Sequence, residues 1–268
     1  MQEVEKVYNE FSSKHFSYAL SYSREMLIQR VHYYESFTEM LLAMMVVGCY
    51  WGEQSHQYLW THIIERVASI CEPKSGISYL PVWKNLSLYP ALLLLYAGGI
   101  ASLAAKQYDT FAALLLQPQV KEVNTIKPPA LALYTWAVAD KEIAQQLPDM
   151  NKRYTPLSDY LYDILREPLR DFIPQDERYT KCFDRFEYLF ALVHSDLYEK
   201  QWNQFWGPVG SFGWRREIID EIASESSVPG KDWLPLNAGL FNSSFSRFKI
   251  VQTSFNEYLK QSNIGRWY

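Results

Sequence analysis

The sequence lacks the short motifs by which most enzyme active sites are recognised. Its 268 residues contain no GxSxG, no Walker loop, no Rossmann glycine fingerprint and no HExxH pair. His56 and His62 are the closest pair of histidines, and their spacing points them in different directions on one helix. Carboxylate pairs such as Asp176-Glu177 and Asp220-Glu221 are typical of solvated helix faces. We therefore predict no catalytic residue, no metal site and no cofactor, and lean against an enzyme.

Cysteine and excess charge are both scarce. The three cysteines, Cys49, Cys71 and Cys182, include no CxxC pair, which favours buried thiols in a reducing cytosol over a disulfide scaffold. The formal net charge of −4 provides no general attraction for nucleic acid. The first ten residues include several charged ones and lack the early apolar run of a secretory signal. These features predict a cytoplasmic protein.

One long segment has no charged residue at all. Residues 88–105, LYPALLLLYAGGIASLAA, reach the threshold of about 18 residues for a membrane span. The segment also contains Pro90, Gly98, Gly99 and Ser102, and no cluster of Lys or Arg flanks one end to set an orientation. We therefore favour a buried helix of a soluble protein, with a membrane span as the alternative. Small residues at spacings of three and four predict close approach by a neighbouring helix.

A second apolar helix is predicted directly after this segment. Residues 110–116 are apolar and Pro118 stops them, which makes a helical hairpin with residues 88–105. The run YPALLLLYAGGIASLAAKQYDTFAALL resembles one tetratricopeptide-type helix pair, although its two adjacent glycines and the missing turn glycine before Tyr108 depart from that pattern. It is also similar to the non-catalytic helical regions at the C-terminal side of large bacterial antiphage defence proteins. That resemblance implies a sensor or scaffold module without an active site.

Helical periodicity dominates the rest of the chain. Residues 14–50 predict one long helix or two nearly continuous ones, with a buried stripe that includes Phe37, Leu41, Met44 and Met45. No convincing run of period-two strands is present. We predict an all-α fold, an irregular multi-helix bundle or helical-repeat-like array of about ten helices with no significant sheet. Residues 1–268 form a single domain in this interpretation, with a candidate subdomain hinge at residues 147–156.

The clearest amphipathic helix is predicted at residues 175–202. Phenylalanines at 183, 186 and 190 form its apolar stripe, and the charged residues of the segment are placed on the opposite, solvent-facing side. The charged residues assigned to that side are Asp184, Arg185, Glu187, Asp196, Glu199 and Lys200.

The most unusual local sequence follows this helix. A glycine-containing loop, residues 207–213, leads into Trp214-Arg215-Arg216, which predicts two arginines in the first turn of a helix, where the helix dipole disfavours them. Loop amides and guanidinium groups together favour a phosphate or carboxylate. The alternative is a structural connector whose arginines are balanced by nearby carboxylates. The candidate binding residues are Trp206, Gly210, Gly213, Trp214, Arg215 and Arg216.

Three classes of function remain open on this basis. We favour a non-catalytic interaction or sensor module that binds a protein partner, another domain of the same system or an anionic ligand. The alternatives are a helical domain that binds a nucleotide or nucleic acid, and an enzyme whose constellation is not recognisable from sequence. A role in bacterial antiphage defence is implied only by the resemblance of residues 89–116.

Overall fold

The computed structural model describes residues 2, 3, 5, 21–70, 79–122, 125–227 and 232–262. Within these ranges the protein is all-α apart from one small two-stranded sheet, which confirms the predicted fold class. The first half contains α1 (Arg24–Trp51), α2 (Gln57–Ile70), α3 (Pro81–Leu86), α4 (Tyr89–Ala104), α5 (Tyr108–Leu116), β1 (Val120–Glu122) and β2 (Thr125–Lys127). The second half contains α6 (Pro129–Ala132), α7 (Thr135–Val138), α8 (Lys141–Ala144), α9 (Pro156–Leu165), α10 (Asp176–Trp202), α11 (Phe212–Arg215), α12 (Glu217–Glu225), α13 (Leu234–Asn237) and α14 (Phe245–Gln261). Short 3-10 turns, Gln54–His56 and Leu240–Ser243, precede α2 and α14.

Helix α4 is the centre of the core. Every residue of Tyr89–Ala104 is buried, and α1, α2, α5 and α10 pack around it. Pro90 lies in the first turn, where its missing amide hydrogen costs little. The stretch Pro81–Ala104 has the length and composition of a membrane span, but 94% of its apolar window is buried inside the protein. Residues 89–104 thus form a buried core helix, as the sequence favoured.

The glycines of α4 permit this close packing. A Cβ atom added at Gly99 would lie 2.2 Å from Cε2 of Phe186 on α10, and one added at Gly98 would lie 2.8 Å from Cε of Met45 on α1. The small residues therefore act as predicted, because two helices approach α4 from different sides. The hairpin of α4 and α5 also forms, and Lys106 provides its turn with a left-handed backbone, φ 60°.

Helix α1 begins where its cap is available. The side chain of Ser23 accepts a hydrogen bond from the amide of Met26, which satisfies one of the free amides of the first turn. The helix continues for 28 residues and ends at Trp51, and the amide of Gly52 donates to the carbonyl oxygen of Gly48. Residues 14–20 of the predicted long helix lie outside the described residues.

Helix α10 confirms the predicted boundaries, but the prediction of its faces was wrong. Asp184, Glu187 and Asp196 are buried, not solvated, because later parts of the chain cover that side of the helix. Two of these carboxylates have arginine partners from distant segments. Arg215 binds Asp184, and Arg247 from α14 binds Asp196.

The segment from β1 to α9 is made of short elements. Val120 pairs with Lys127 across an antiparallel ladder, although the sequence contains no convincing period-two run. Asp140 caps α8 by accepting a hydrogen bond from the amide of Ile143. In the segment 147–156, Leu147 and Met150 are buried, and a hinge at this place stays a prediction.

Candidate functional site

The loop formed by residues 207–213 packs directly on the middle of α10. A Cβ atom at Gly210 would lie 2.1 Å from Oε2 of Glu187, and one at Gly207 would lie 2.7 Å from the carbonyl oxygen of Ala191. Only glycine leaves room for such an approach. Gly213 is buried in the single-turn helix α11 that follows the loop. The glycines therefore bring the loop close to a buried carboxylate.

Glu187 is the acceptor at the centre of this contact. Its carboxylate accepts hydrogen bonds from the amide of Ser211 at 2.8 Å, from Oγ of Ser158 at 2.6 Å and from the hydroxyl of Tyr96 at 3.2 Å. Burial raises the pKa of Glu187 to about 7, against the effect of the hydrogen bonds from Ser158 and Tyr96. This carboxyl group joins α4, α9, α10 and the loop.

Arg215 completes the arrangement. Its Nε and Nη2 atoms each donate to Asp184 at 2.6 Å, and Nη2 also donates to Oγ of Ser211 at 2.6 Å. The predicted combination of loop amide and guanidinium is present, and the anions that it contacts are Asp184 and Glu187 of the protein itself. The site therefore resembles a structural connector whose arginine is balanced by carboxylates, which was the alternative interpretation of the sequence, more than an open anion-binding site.

The helical placement of the two arginines was predicted incorrectly. Arg215 lies in the last turn of α11, and Arg216 has a left-handed backbone, φ 51°, that separates α11 from α12. Helix α12 then begins with Glu217, and Asp220 also lies in its first turn. Since carboxylates are favoured at this end of a helix, the conflict with the dipole that the sequence suggested does not arise.

The two tryptophans of the predicted site lie in different surroundings. Trp214 packs edge-on against Tyr154, with ring centroids 5.0 Å apart. Trp206 belongs to an aromatic cluster with Tyr134, His194 and Tyr198. Both tryptophans are half-buried. The structure therefore does not bring all six predicted residues around one opening.

His194 lies inside this aromatic cluster. Its Nδ1 is 2.7 Å from the carbonyl oxygen of Ala130, so Nδ1 carries the hydrogen in the neutral ring. Burial lowers the pKa of His194 to about 4. Its Nε2 is buried without a hydrogen-bond partner in the described part of the chain. The contacts of this histidine belong to the packing between α6 and α10.

A different surface was missed by sequence reasoning. Helix α1 has two apolar faces: one is buried in the core, and the other is exposed along its C-terminal half. The exposed fractions of the residues on the outer face are 58% for Met40, 40% for Met44, 49% for Val47 and 72% for Trp51. Met44 was predicted in the buried stripe, and that placement was wrong because Met45 takes the inner position. We call the set Met40, Met44, Val47 and Trp51 the outer stripe.

A groove lies at the C-terminal end of the outer stripe. It has a volume of about 560 Å³ and is lined by Ala43, Met44, Val47, Gly48, Trp51, Gly52, Glu53, His56 and Trp60. A Cβ atom at Gly48 would lie 1.9 Å from the ring of Trp60, so glycine lets this ring lie against α1. The groove is therefore a shallow apolar channel between α1 and the start of α2.

A second, polar cleft lies between α5, α10 and α12. It has a volume of about 470 Å³, and charges of both signs line it, including Arg178, Arg185, Glu221 and Asp232. Arg185 is bound to Glu225 and to the hydroxyl of Tyr108. Three of the charged residues that line the cleft, Arg185, Glu221 and Glu225, form ion pairs with one another, which favours a structural role.

Comparisons with known proteins do not assign this chain to a family. No family model matches the sequence, and no curated protein and no solved structure gives a significant match. Across the ranges that the structure describes, no group of three or more His, Cys, Asp or Glu side chains is arranged to hold a metal ion. The outer stripe is the surface whose exposure most needs an explanation.

Proposed function

We propose that this protein is a non-catalytic helical interaction module that binds a protein partner through the outer stripe of α1. The observation that supports this proposal is the exposure of four large apolar side chains, Met40, Met44, Val47 and Trp51, along one helix face. Contiguous exposed apolar surface of this kind is typical of interaction sites in soluble proteins. Methionine is also common on binding surfaces, because its flexible side chain adapts to a partner.

The alternative site at residues 206–216 has weaker support. An anionic ligand or a nucleic acid would have to compete with Asp184 for Arg215 and with Glu187 for the amide of Ser211. Exchange of these internal contacts for a ligand would leave two buried carboxylates with fewer partners, which is costly. We therefore place the binding function on α1.

We extend the proposal to the cellular setting that the sequence suggested. A cytoplasmic sensor or scaffold in a bacterial antiphage defence system agrees with the hairpin of α4 and α5, whose sequence has the corresponding resemblance. A module of this kind needs a partner surface and no active site. The same hairpin supports a tetratricopeptide-like local geometry.

The proposal can be tested by photo-crosslinking in the producing cells. A photoreactive phenylalanine analogue replaces Met40 or Val47 in the full chain, and Ile250 on α14 provides a control position with similar exposure. We expect both stripe positions to give one protein adduct of the same identity, and Ile250 to give none. Met44→Asp should abolish the adduct. Adducts that form equally at Ile250, or none at the stripe, would contradict the proposed function.

A further inference from the structure

The spacing of the outer stripe identifies the kind of element that covers it. Its residues follow each other at steps of four, three and four from Met40 to Trp51. This is the spacing at which a second helix packs against the first in a coiled-coil interface. At a rise of about 1.5 Å per residue the seam is about 17 Å long. A partner helix of about 12 residues or more would span it.

The groove marks the C-terminal end of the apolar seam on α1. The small residues Ala43 and Gly48 and the large rings of Trp51 and Trp60 all line it. A bulky apolar side chain of the partner helix therefore fits at this end, as an anchor residue does in a helix-binding groove. Met40 and Met44 provide adaptable contacts along the remaining length.

The charge around the seam is of one sign. Residues 31–65 contain four glutamates and no lysine or arginine. Glu35 faces inward, where it accepts hydrogen bonds from the hydroxyls of Tyr89 and Tyr160, and Glu65 contacts the amide of Gln119. Glu39 and Glu53 are exposed, the first beside Met40 and the second on the groove itself. A partner with positive charges beside its apolar seam is therefore electrostatically complementary.

Together these features select one occupant. We propose, on the basis of the proposed function, that the outer stripe binds an amphipathic helix of another protein that carries Lys or Arg beside its apolar seam. A second copy of this chain would add its own Glu39 and Glu53 to the same interface, which the charges disfavour. An anionic membrane surface attracts basic helices, and this helix face carries no basic residue between 31 and 65.

Three synthetic peptides test the proposal with the full chain. The first is an 18-residue helix with leucine at the seam and lysine at the flanks, the second has glutamate at the flanks, and the third has serine at the seam. Fluorescence anisotropy measures the affinity of each. We expect micromolar binding of the lysine peptide, at least about tenfold weaker binding of the glutamate peptide and none of the serine peptide. Salt should weaken the lysine peptide's binding.

Variants of the chain distinguish a failure of the charge inference from a failure of the proposed binding function. Met44→Asp adds negative charge and should still abolish binding, which excludes a general attraction of basic peptides. Glu39→Lys with Glu53→Lys should reverse the preference between the lysine and glutamate peptides. If the lysine and glutamate peptides bind equally and Met44→Asp abolishes both, the charge inference fails and the proposed function stands. If neither peptide binds, the helix-binding role of the stripe fails.

Two further outcomes would identify another occupant and overturn the proposal. Sedimentation that shows a concentration-dependent dimer, lost in Met44→Asp, would assign the stripe to a second copy of the chain. Flotation with phosphatidylcholine or phosphatidylglycerol vesicles, lost in the same variant, would assign it to lipid. Circular dichroism of Met44→Asp provides the folding control, since Met44 is already partly exposed.

Discussion

Gly98 and Gly99 lie side by side in α4 and permit a matched test of the core packing. Replacement by alanine raises helix propensity by about 1 kcal/mol at either position. At Gly99 the new methyl group would lie 2.2 Å and 2.5 Å from two atoms of the Phe186 ring, which is rigid. At Gly98 the nearest atom is the end of the Met45 side chain at 2.8 Å, and this methyl group can rotate away.

The free energies follow from these contacts. Overpacking against an aromatic ring costs about 1–3 kcal/mol, and the propensity gain offsets about 1 kcal/mol of it, so we expect Gly99→Ala to destabilise the fold by up to about 2 kcal/mol. Gly98→Ala should change stability by less than about 1 kcal/mol. Urea unfolding measures both variants. The Phe186→Leu background should reduce the cost of Gly99→Ala, because the ring edge is removed. A Gly99→Ala protein that is more stable than the original chain would refute close contact between α4 and α10.

The buried charges lead to three further predictions. Arg215→Ala should destabilise the fold by about 1–3 kcal/mol because the buried carboxylate of Asp184 loses its arginine partner, whereas Arg216→Ala leaves this pair intact and should cost less in the same urea unfolding assay. Glu187 has a raised pKa in the folded state, so its contribution to stability falls as pH rises from about 4.5 to about 7; melting of Glu187→Gln across this window should lack that fall. His194 has a lowered pKa, so its contribution is lost as pH falls from 6.5 to about 4, and His194→Gln should lack that loss. An Arg215→Ala protein as stable as Arg216→Ala, or pH profiles unchanged by both other substitutions, would contradict these assignments.

Local sequence patterns predicted the helices whose signal is strong. The uncharged run became α4 and the phenylalanine repeat became α10, because each pattern depends on neighbours within the same helix. Whether the charged side chains of α10 are buried or exposed depends on residues far away in the sequence. Arg215 and Arg247 bind Asp184 and Asp196, and nothing near these carboxylates in sequence indicates such partners.

The candidate site was only partly predictable for a related reason. The glycine loop and Arg215 do form an anion-binding arrangement, but sequence alone does not show that Glu187 and Asp184 occupy it. The left-handed backbone of Arg216 also has no local signal, since glycine would be the usual residue there. The outer stripe could not be predicted because α1 is apolar on two faces. The sequence does not show which of the adjacent residues Met44 and Met45 faces the core.

Methionine methyl spectra provide the most direct test of binding by the outer stripe. The chain has six methionines, of which Met40 and Met44 lie on the stripe while Met45 and Met150 are buried. On addition of the lysine-flanked peptide to the full chain with carbon-13-labelled methionine methyl groups, we predict shifts of the Met40 and Met44 signals and unchanged Met45 and Met150 signals. Binding that leaves the Met40 and Met44 signals in place would contradict the assignment of partner binding to α1.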